Sequence, residues 1–387
     1  MQRWRSSLVL IAGAALILTA CGGNSTLPPV ATLDQSQPTT ESGIVATDAV
    51  PTSTPASGAT GQVMSPNTLV LAQLEQFVAQ LPDTKILTLS ADRIPPSGSP
   101  DGRYGVVYTA QNGLVDLTLT DYSTTPAATK AIPSGNALTS PSITWREDST
   151  GFAFADLPAP DKVAQAKKIV YYYDLASGQT QELLTEAQSP SSFPVPVAFS
   201  PNNAYLMYLV TGGAETGSVS YQAVLFDMNT KQKTPLSLGQ AAFSQWLADS
   251  SGFLTSASDP QTGASALVVY RLNALSTPQT ITPVAVTDVW SDISPDGKFI
   301  VVVSAASGSA QSVYNIFMMG LDGSNRRQLT QFSDPQQSIT ALVWGNDGIY
   351  YSVFSGEGLD TVWRMDLDGK NAKQVAQGTL LRIIGTR

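Results

Sequence analysis

The stretch Ser294-Pro295-Asp296-Gly297-Lys298 lies between the apolar residue Ile293 and a run of mainly apolar residues at 299–304. Aspartate caps such a turn, proline presets the backbone angle φ, and glycine accepts the conformation that reverses the chain. A third, mainly apolar stretch at 315–319 ends in a second turn, and a short polar stretch follows at 326–330. Strands joined by tight turns in this way predict one antiparallel sheet of four strands.

The same order of strand, turn and strand occurs six times in the sequence. Each first turn has an aspartate or asparagine at the equivalent place, and these residues are Asp101, Asp148, Asn202, Asp249, Asp296 and Asp347. Successive members of this set are 47, 54, 47, 47 and 51 residues apart. Repeats of roughly fifty residues with four antiparallel strands each are typical of propeller blades. We therefore predict an all-β fold, a six-bladed β-propeller of four-stranded antiparallel blades.

One unit also resembles a known family. The turn at 294–298, the strand at 315–319 and the hairpin Leu321-Asp322-Gly323-Ser324-Asn325-Arg326-Arg327-Gln328-Leu329-Thr330 are similar to the WD-like repeat of TolB-type propellers. The resemblance extends over residues 83–387 and leaves out the small N-terminal domain of that family. It implies a propeller over residues 83–387 and favours binding of a protein or another component of the cell envelope.

The first residues predict export. Arg3 and Arg5 precede an apolar run at 8–18, and Leu18-Thr19-Ala20-Cys21 follows, so residues 1–20 have the three parts of a secretory signal peptide. The tetrad resembles a bacterial lipobox, which implies cleavage before Cys21 and acylation of its thiol. The alternative is an ordinary signal peptide followed by a cysteine that plays no part in anchoring. We expect an extracytoplasmic protein held to the membrane by lipid on Cys21, at the cell surface or in the periplasm.

Two segments separate Cys21 from the predicted propeller. Residues 21–67 are rich in Thr, Ser, Pro, Ala and Gly without apolar periodicity, which predicts a disordered linker. Ser65-Pro66 then has the form of a helix start. Apolar residues follow at helical spacing, namely Val70, Leu74, Phe77, Val78 and Leu81. We predict a short amphipathic helix over residues 68–82, packed on the propeller, with a partner-binding helix as the alternative.

The residue types present exclude several kinds of site. The chain has no histidine and its single cysteine is Cys21, which excludes Ser-His-Asp catalysis, Cys-His catalysis and histidine metal sites. Without the signal peptide, 19 basic and 30 acidic residues remain, a formal charge of −11. Nucleic-acid binding needs a basic surface, so we expect no nucleic-acid partner. No G-x-S-x-G hydrolase motif is present, and we predict a protein that is not an enzyme.

A propeller ring must join the two ends of its chain. Residues 93–98 contain two prolines and make a poor inner strand for blade one. Residues 380–384 lie where an inner strand should follow blade six. We predict that the C-terminus supplies the inner strand of blade one, with residues 85–89 competing for that place.

Loops on a rigid scaffold are where binding usually resides. The loops after the second strand of each blade vary most, at 157–168, 211–221 and 258–264. The first contains Lys162, Lys167 and Lys168, a small basic patch in an acidic protein and our candidate binding site. A solvated loop without a partner is the alternative interpretation.

The leading hypothesis is a monomeric scaffold that binds an envelope protein or a cell-wall component. We predict no cofactor, although a structural calcium ion in the central tunnel is an alternative. Two other functions stay open. One is a propeller enzyme that acts on a sugar or lactone through tunnel carboxylates, with or without calcium. The other is a binding protein for a small extracellular solute.

Overall fold

Antiparallel strands make up almost all of the regular structure. The computed structural model describes residues 62–386, apart from 75, 112–113, 133–141, 156–167, 187–192, 213–219, 239–240, 259–263, 283–285, 307–312 and 357. The helical segments in these ranges are two single 3₁₀ turns, Ala91–Arg93 and Leu272–Ala274. None of the described helical segments is long and apolar enough to cross a membrane. The predicted signal peptide, Cys21 and nearly all of the linker lie outside the described residues.

The strands are numbered in chain order. They are β1 (Leu69–Gln73), β2 (Gln76–Gln80), β3 (Ile86–Leu89), β4 (Tyr104–Gln111), β5 (Leu114–Asp121), β6 (Ala128–Ile132), β7 (Ser142–Trp145), β8 (Gly151–Ala155), β9 (Ile169–Asp174), β10 (Gln179–Thr185), β11 (Pro194–Phe199), β12 (Tyr205–Gly212), β13 (Ser220–Asp227) and β14 (Lys233–Pro235). The remainder are β15 (Ala241–Trp246), β16 (Gly252–Ser258), β17 (Ser265–Arg271), β18 (Gln279–Thr280), β19 (Val286–Ile293), β20 (Phe299–Ala306), β21 (Asn315–Gly320), β22 (Arg327–Gln328), β23 (Ser338–Gly345), β24 (Gly348–Phe354), β25 (Thr361–Met365), β26 (Lys373–Gln377) and β27 (Thr379–Ile383).

The six predicted units are six antiparallel sheets, called blades 1–6 here. Blade 1 contains β4–β6, and blades 2 to 6 contain β7–β10, β11–β14, β15–β18, β19–β22 and β23–β26. In blade 1 the first strand is reduced to a single bridge between Gly98 and Gly105, as the two prolines before it predict. Blades 4 and 5 are joined by one parallel bridge, from Ser265 to Thr287. The predicted all-β fold of four-stranded antiparallel blades is confirmed.

A further sheet, called the closing blade, is built from both ends of the described chain. Its strand order is β27-β1-β2-β3, and Leu71 of β1 pairs with Leu380 of β27. The C-terminus does supply a first strand, but for the N-terminal strands and not for blade 1. Residues 85–89, the expected competitor, contribute the outer strand β3 of the same sheet. The closing blade therefore lies beside the six predicted units; the described residues form six hydrogen-bonded sheets, because the parallel bridge joins blades 4 and 5 into one sheet of eight strands.

The predicted helix at 68–82 is wrong, and its residues form β1 and β2. Residues 69–72 are all buried in succession, because β1 lies between β27 and β2 with neighbouring blades on both faces. A strand that is buried on both faces has no alternation, and spacing alone does not separate a short apolar run of this kind from a helix. Leu74, at a φ of 41°, forms the turn between the two strands. The propeller thus begins well before residue 83.

The core is divided into seven clusters of buried apolar side chains, each between two neighbouring sheets of the described chain. Between blades 1 and 2, for example, the ring of Trp145 lies 6.3 Å from that of Tyr104 in blade 1 and 4.7 Å from that of Phe152 in its own blade, measured between centroids. One cluster joins blade 6 to the closing blade, and another joins the closing blade to Ile94 at the start of blade 1. The clusters follow one another in a closed ring, as a propeller requires.

Blades 1 and 2 share contacts that recur 101 residues later in blades 3 and 4. The indole Nε1 of Trp145 donates to the Ser97 carbonyl at 3.0 Å, and that of Trp246 donates to the Ala198 carbonyl at 3.3 Å. The Ser149 hydroxyl accepts a bond from the Asp101 amide in the preceding blade's turn at 3.1 Å. Ser250 accepts the equivalent bond from Asn202 at 3.0 Å. The unit of repetition in this half of the ring is therefore a pair of blades.

The turn aspartates should make the fold sensitive to acid. Hydrogen bonds from Ser294 and from Ser324 lower the pKa of Asp296 and of Asp322, respectively, below the usual 3.8. A carboxyl whose pKa is lower in the folded state stabilises the fold above its unfolded pKa, and this contribution is lost as the pH falls. We expect the Tm to be nearly constant from pH 7 to about 5 and to fall below pH 3.8 in thermal unfolding followed by circular dichroism.

Asp296→Asn provides the control, because Asn202 occupies the equivalent place in blade 3. The Oδ1 atom of Asn202 accepts bonds from the Ser200 hydroxyl at 2.8 Å and from the Ala204 amide at 3.0 Å. Asp296 Oδ1 accepts the same pair from Ser294 and Lys298. The variant should fold normally at pH 7 and lose less stability in acid. An unchanged acid slope would show that the Asp296 cap does not contribute to it.

Candidate functional site

The two ends of the propeller are distinct. The first strand of each blade is the innermost, because first strands of different blades contact one another. Strand β7 contacts β11, and β23 contacts both β19 and β27. The connections between first and second strands and between third and fourth strands lie at one end, called the turn face. The connections from second to third strands and from one blade to the next lie at the other end, called the loop face.

Both ends of the described chain lie at the turn face. Met64 is buried beneath the blade 1 turn, where a Cβ on Gly102 would lie 2.8 Å from its terminal methyl group. The Arg93 guanidinium donates to the Gln62 carbonyl at 2.7 Å. The Asn67 amide donates to the Ile384 carbonyl at 2.8 Å. The chain that precedes residue 62 is therefore attached at the face opposite the long loops.

The predicted basic patch is described at only one of its three lysines. Lys162 and Lys167 lie outside the described residues, as do most residues of the loops at 211–221 and 258–264. Lys168 directly precedes β9 and is buried, with its ammonium nitrogen 4.9 Å from the centroid of the Phe193 ring. Burial lowers the pKa of this ammonium group. Lys168 is thus not an exposed member of a surface patch, and a binding role for the loop stays a prediction.

The first strands β7, β11, β15, β19, β23 and β27 contain two carboxylates, both on β19. Asp292 Oδ2 accepts a bond from the Trp344 amide of the next blade at 2.7 Å. Its Oδ1 lies 3.0 Å from the side-chain nitrogen of Gln245 in the preceding blade, with the amide turned to donate. Asp292 therefore links the inner strands of blades 4, 5 and 6 through side-chain hydrogen bonds. This lateral bond was not predicted, since nothing in the repeat places Gln245 beside Asp292.

Asp288, the second carboxylate, faces a cation inside the contact between blades 4 and 5. Its side chain is buried, and its Oδ1 lies 3.7 Å from Nη2 of Arg326. The same Nη2 donates to the Ser304 hydroxyl at 2.8 Å. Burial raises the pKa of Asp288, and Ser304 and Arg326 counteract part of that effect. Asp292 is thus hydrogen-bonded to a neighbouring blade, and Asp288 is buried opposite Arg326.

One arginine of the closing blade is also enclosed by the inner strands. Arg382 of β27 donates from Nη1 to the Gly98 carbonyl of blade 1 at 3.1 Å. Burial lowers the pKa of Arg382 to about 10, and the nearby charges of Asp101 and Glu147 act in the opposite direction. The side chain links the C-terminal strand to the proline-rich start of blade 1. It therefore supplements the weak strand pairing at that place.

A groove opens on the turn face between blades 4 and 5, with a volume of about 360 Å³. Blade 4 contributes Arg271 and Gln279 to its lining, and blade 5 contributes the segment around Lys298 and the hairpin that includes Leu321 and Asp322. Leu321 packs against the apolar cluster between the two blades. Sequence reasoning interpreted this hairpin only as a turn and missed the groove, because the groove's two walls come from different blades.

In the part of the chain that the structure describes, no three Asp, Glu or Cys side chains come together as a group that could hold a metal ion. The loops of the loop face are largely outside that part. The expectation that the protein carries no cofactor, and the calcium alternative, therefore stay predictions.

Comparison with known proteins shows the fold. No protein-family model matches the sequence, and no curated protein is similar to it in sequence. A prolyl endopeptidase structure matches with a TM-score of 0.57 and 13% identity, over 84% of this chain and 52% of that chain. The β-propeller domain of the trilobed protease from Pyrococcus furiosus matches with a TM-score of 0.52 and 14% identity, over 82% of this chain and 92% of that domain. TolB from Acinetobacter baumannii matches with a TM-score of 0.42 and 16% identity, over 81% of each chain.

Proposed function

We propose that this protein is a lipid-anchored, extracytoplasmic scaffold whose propeller binds a protein of the cell envelope and does not catalyse a reaction. The observation that carries the proposal is the placement of both chain ends at the turn face, where Asn67 bonds to Ile384. A propeller attached through its N-terminus presents its loop face without obstruction by its own tether. Loops of different length on a rigid frame are a common arrangement for recognition.

The segment between Cys21 and the first described residues suits an anchored protein. A disordered linker of about 40–45 residues, as the composition predicts here, would span on the order of 35–40 Å. That distance leaves room for a partner between the propeller and the membrane or beside it. Acyl chains on Cys21 would supply the anchor, since each buried CH₂ contributes roughly 0.8 kcal/mol.

The carboxylates of the first strands give no support to the enzyme alternative. A glycosidase or lactonase in the tunnel would need convergent carboxylates that are free to act on a substrate. Asp292 is engaged by neighbouring strands, and Asp288 is buried against Arg326. The scaffold proposal is therefore preferred to catalysis through these two groups.

Photo-crosslinking in living cells tests the scaffold proposal. Photo-reactive residues replace Lys162, Gly217 and Gly263 in the three long loops, and Lys370 on the turn face is the control position. We expect one recurrent envelope protein to be crosslinked from the loop positions, at least several-fold more than from position 370. Its capture should fall sharply in the Cys21→Ser form. A folded protein that gives no recurrent product from any loop position would contradict the proposal.

A further inference from the structure

Arg271, which lines the groove, occupies a position where most blades have an aspartate. At the start of the hairpin between third and fourth strands, four blades have an aspartate, namely Asp121, Asp174, Asp227 and Asp366. The first three accept bonds from backbone amides of their own hairpins, at 2.8 Å from Ser123, 2.7 Å from Ser177 and 2.8 Å from Asn229. Blade 5 has Gly320 at this place, paired with Phe299, and blade 4 has Arg271, paired with Gly252. A capping anion has been replaced by a cation.

Arg271 cannot cap its hairpin, because a guanidinium has no acceptor. The chain after it forms the 3₁₀ turn Leu272–Ala274 instead of a tight reversal. One nitrogen, Nη1, donates to the Ser251 hydroxyl at 2.7 Å and so holds the side chain across the turn face. This bond uses one of the five N–H groups of a guanidinium. The replacement loses a local cap and places a positive charge in the wall of the groove.

The groove is more cationic than the protein as a whole. Arg271 and Lys298 line it together with a single carboxylate, Asp322, whereas the exported chain has a formal charge of −11. Asp322 accepts a bond from the Ser324 amide at 3.0 Å, which uses part of its capacity. Lys298 lies 3.2 Å from Asp296, but both side chains are well exposed, and an exposed pair of this kind is weak and easily exchanged.

We propose that the groove between blades 4 and 5 binds an acidic peptide segment of a partner protein. A carboxylate of the segment is bound by Arg271 and Lys298, and a neighbouring apolar side chain packs on Leu321. Gln279, Ser324 and Asn325 supply amide and hydroxyl groups to the peptide backbone. Charge complementarity favours this occupant, because an acidic segment meets Arg271 and Lys298 here, whereas the exported chain as a whole has a formal charge of −11. The proposal rests on the scaffold function and names a second recognition surface, on the turn face.

A random peptide library displayed on phage tests the proposal with the Cys21→Ser form of the whole exported chain as the target. Enriched peptides are then synthesised with a fluorescent label and titrated in anisotropy measurements. We expect them to contain Asp or Glu, and replacement of these residues by Asn or Gln should weaken binding about tenfold or more, as the loss of a charged hydrogen bond predicts.

Three charge variants locate the site. Arg271→Asp restores the residue that four other blades have at this place and is therefore expected to fold. It and Lys298→Glu should weaken binding about tenfold or more. Lys370→Glu makes the same charge change on the turn face, where Lys370 pairs with Asp368 at 3.1 Å, and should change affinity less than twofold. Thermal unfolding of each variant shows whether it is folded.

The proposal would be overturned by a library that yields no binder, by binders without acidic residues, or by equal affinity for the wild type and Arg271→Asp. None of these results affects crosslinking from the loop face, so the scaffold function stands or fails separately.

Discussion

Deletion of residues 379–387 is expected to abolish folding of the whole propeller. The deletion removes β27, whose loss leaves β1 without a partner on one side and opens the closing blade. It also removes Leu380, Ile383 and Ile384, which are buried at 3% exposure or less. Burial of each such side chain contributes about 1.5–3 kcal/mol, and the stability of an entire domain is only about 5–15 kcal/mol. We expect no cooperative thermal transition in circular dichroism and rapid digestion by protease.

Two point variants distinguish the loss of β27 from a general effect of shortening the chain. Leu380→Ala should lower the stability by about 2–5 kcal/mol. Leu367→Ala, at an exposed position of the blade 6 hairpin, should change it by less than about 0.5 kcal/mol. If the truncated protein kept the Tm of the full chain, β27 would not be the strand that closes the ring.

Leu71→Ala is expected to be among the most damaging single substitutions, whereas Leu74→Ala three residues away should be nearly silent. Leu71 is 0% exposed in the cluster between blade 6 and the closing blade, and Leu74 is 75% exposed in the turn between β1 and β2. Removal of a buried leucine side chain costs about 2–5 kcal/mol, and an exposed substitution usually costs less than about 0.5 kcal/mol. Urea unfolding of both variants measures the difference.

The pair also separates the structure from the helix that the sequence suggested. In that helix Leu74 belongs to the apolar face, with Val70, Phe77 and Val78, and Leu71 does not. A helix packed on a complete propeller would therefore make Leu74→Ala the costly change. Equal effects of the two substitutions would fit neither arrangement.

Blades 1–6 could be recognised from the sequence because their turns have specific chemistry. Ser294, Asp296 and Gly297 form a turn through bonds that depend on residue type and not on distant contacts. The closing blade has no such signal: its strands β1 and β27 are defined by pairing with each other across the whole chain. Local spacing cannot reveal that pairing, and the apolar residues of this segment therefore predict a helix.

The candidate sites likewise include features with a local sequence signal and features that depend on distant contacts. The long loops were visible as differences in length, but the burial of Lys168 depends on the neighbouring Phe193 and could not be predicted from a run of lysines. Arg271 can be read from the sequence, but its equivalence to the capping aspartates cannot. Its significance appears only when the strand register aligns it with Asp121, Asp174 and Asp227 in the other blades.

The closing blade also determines the order of folding events when the chain is synthesised. Leu71 leaves the ribosome early, yet its partner Leu380 follows 309 residues later. Contacts over such a separation form late, because the intervening chain must first be ordered. Until then β1–β3 have an unpaired edge, which is a site for aggregation and proteolysis. The ring therefore cannot close before the residues of β27 are available, and a chain that lacks them keeps this edge open.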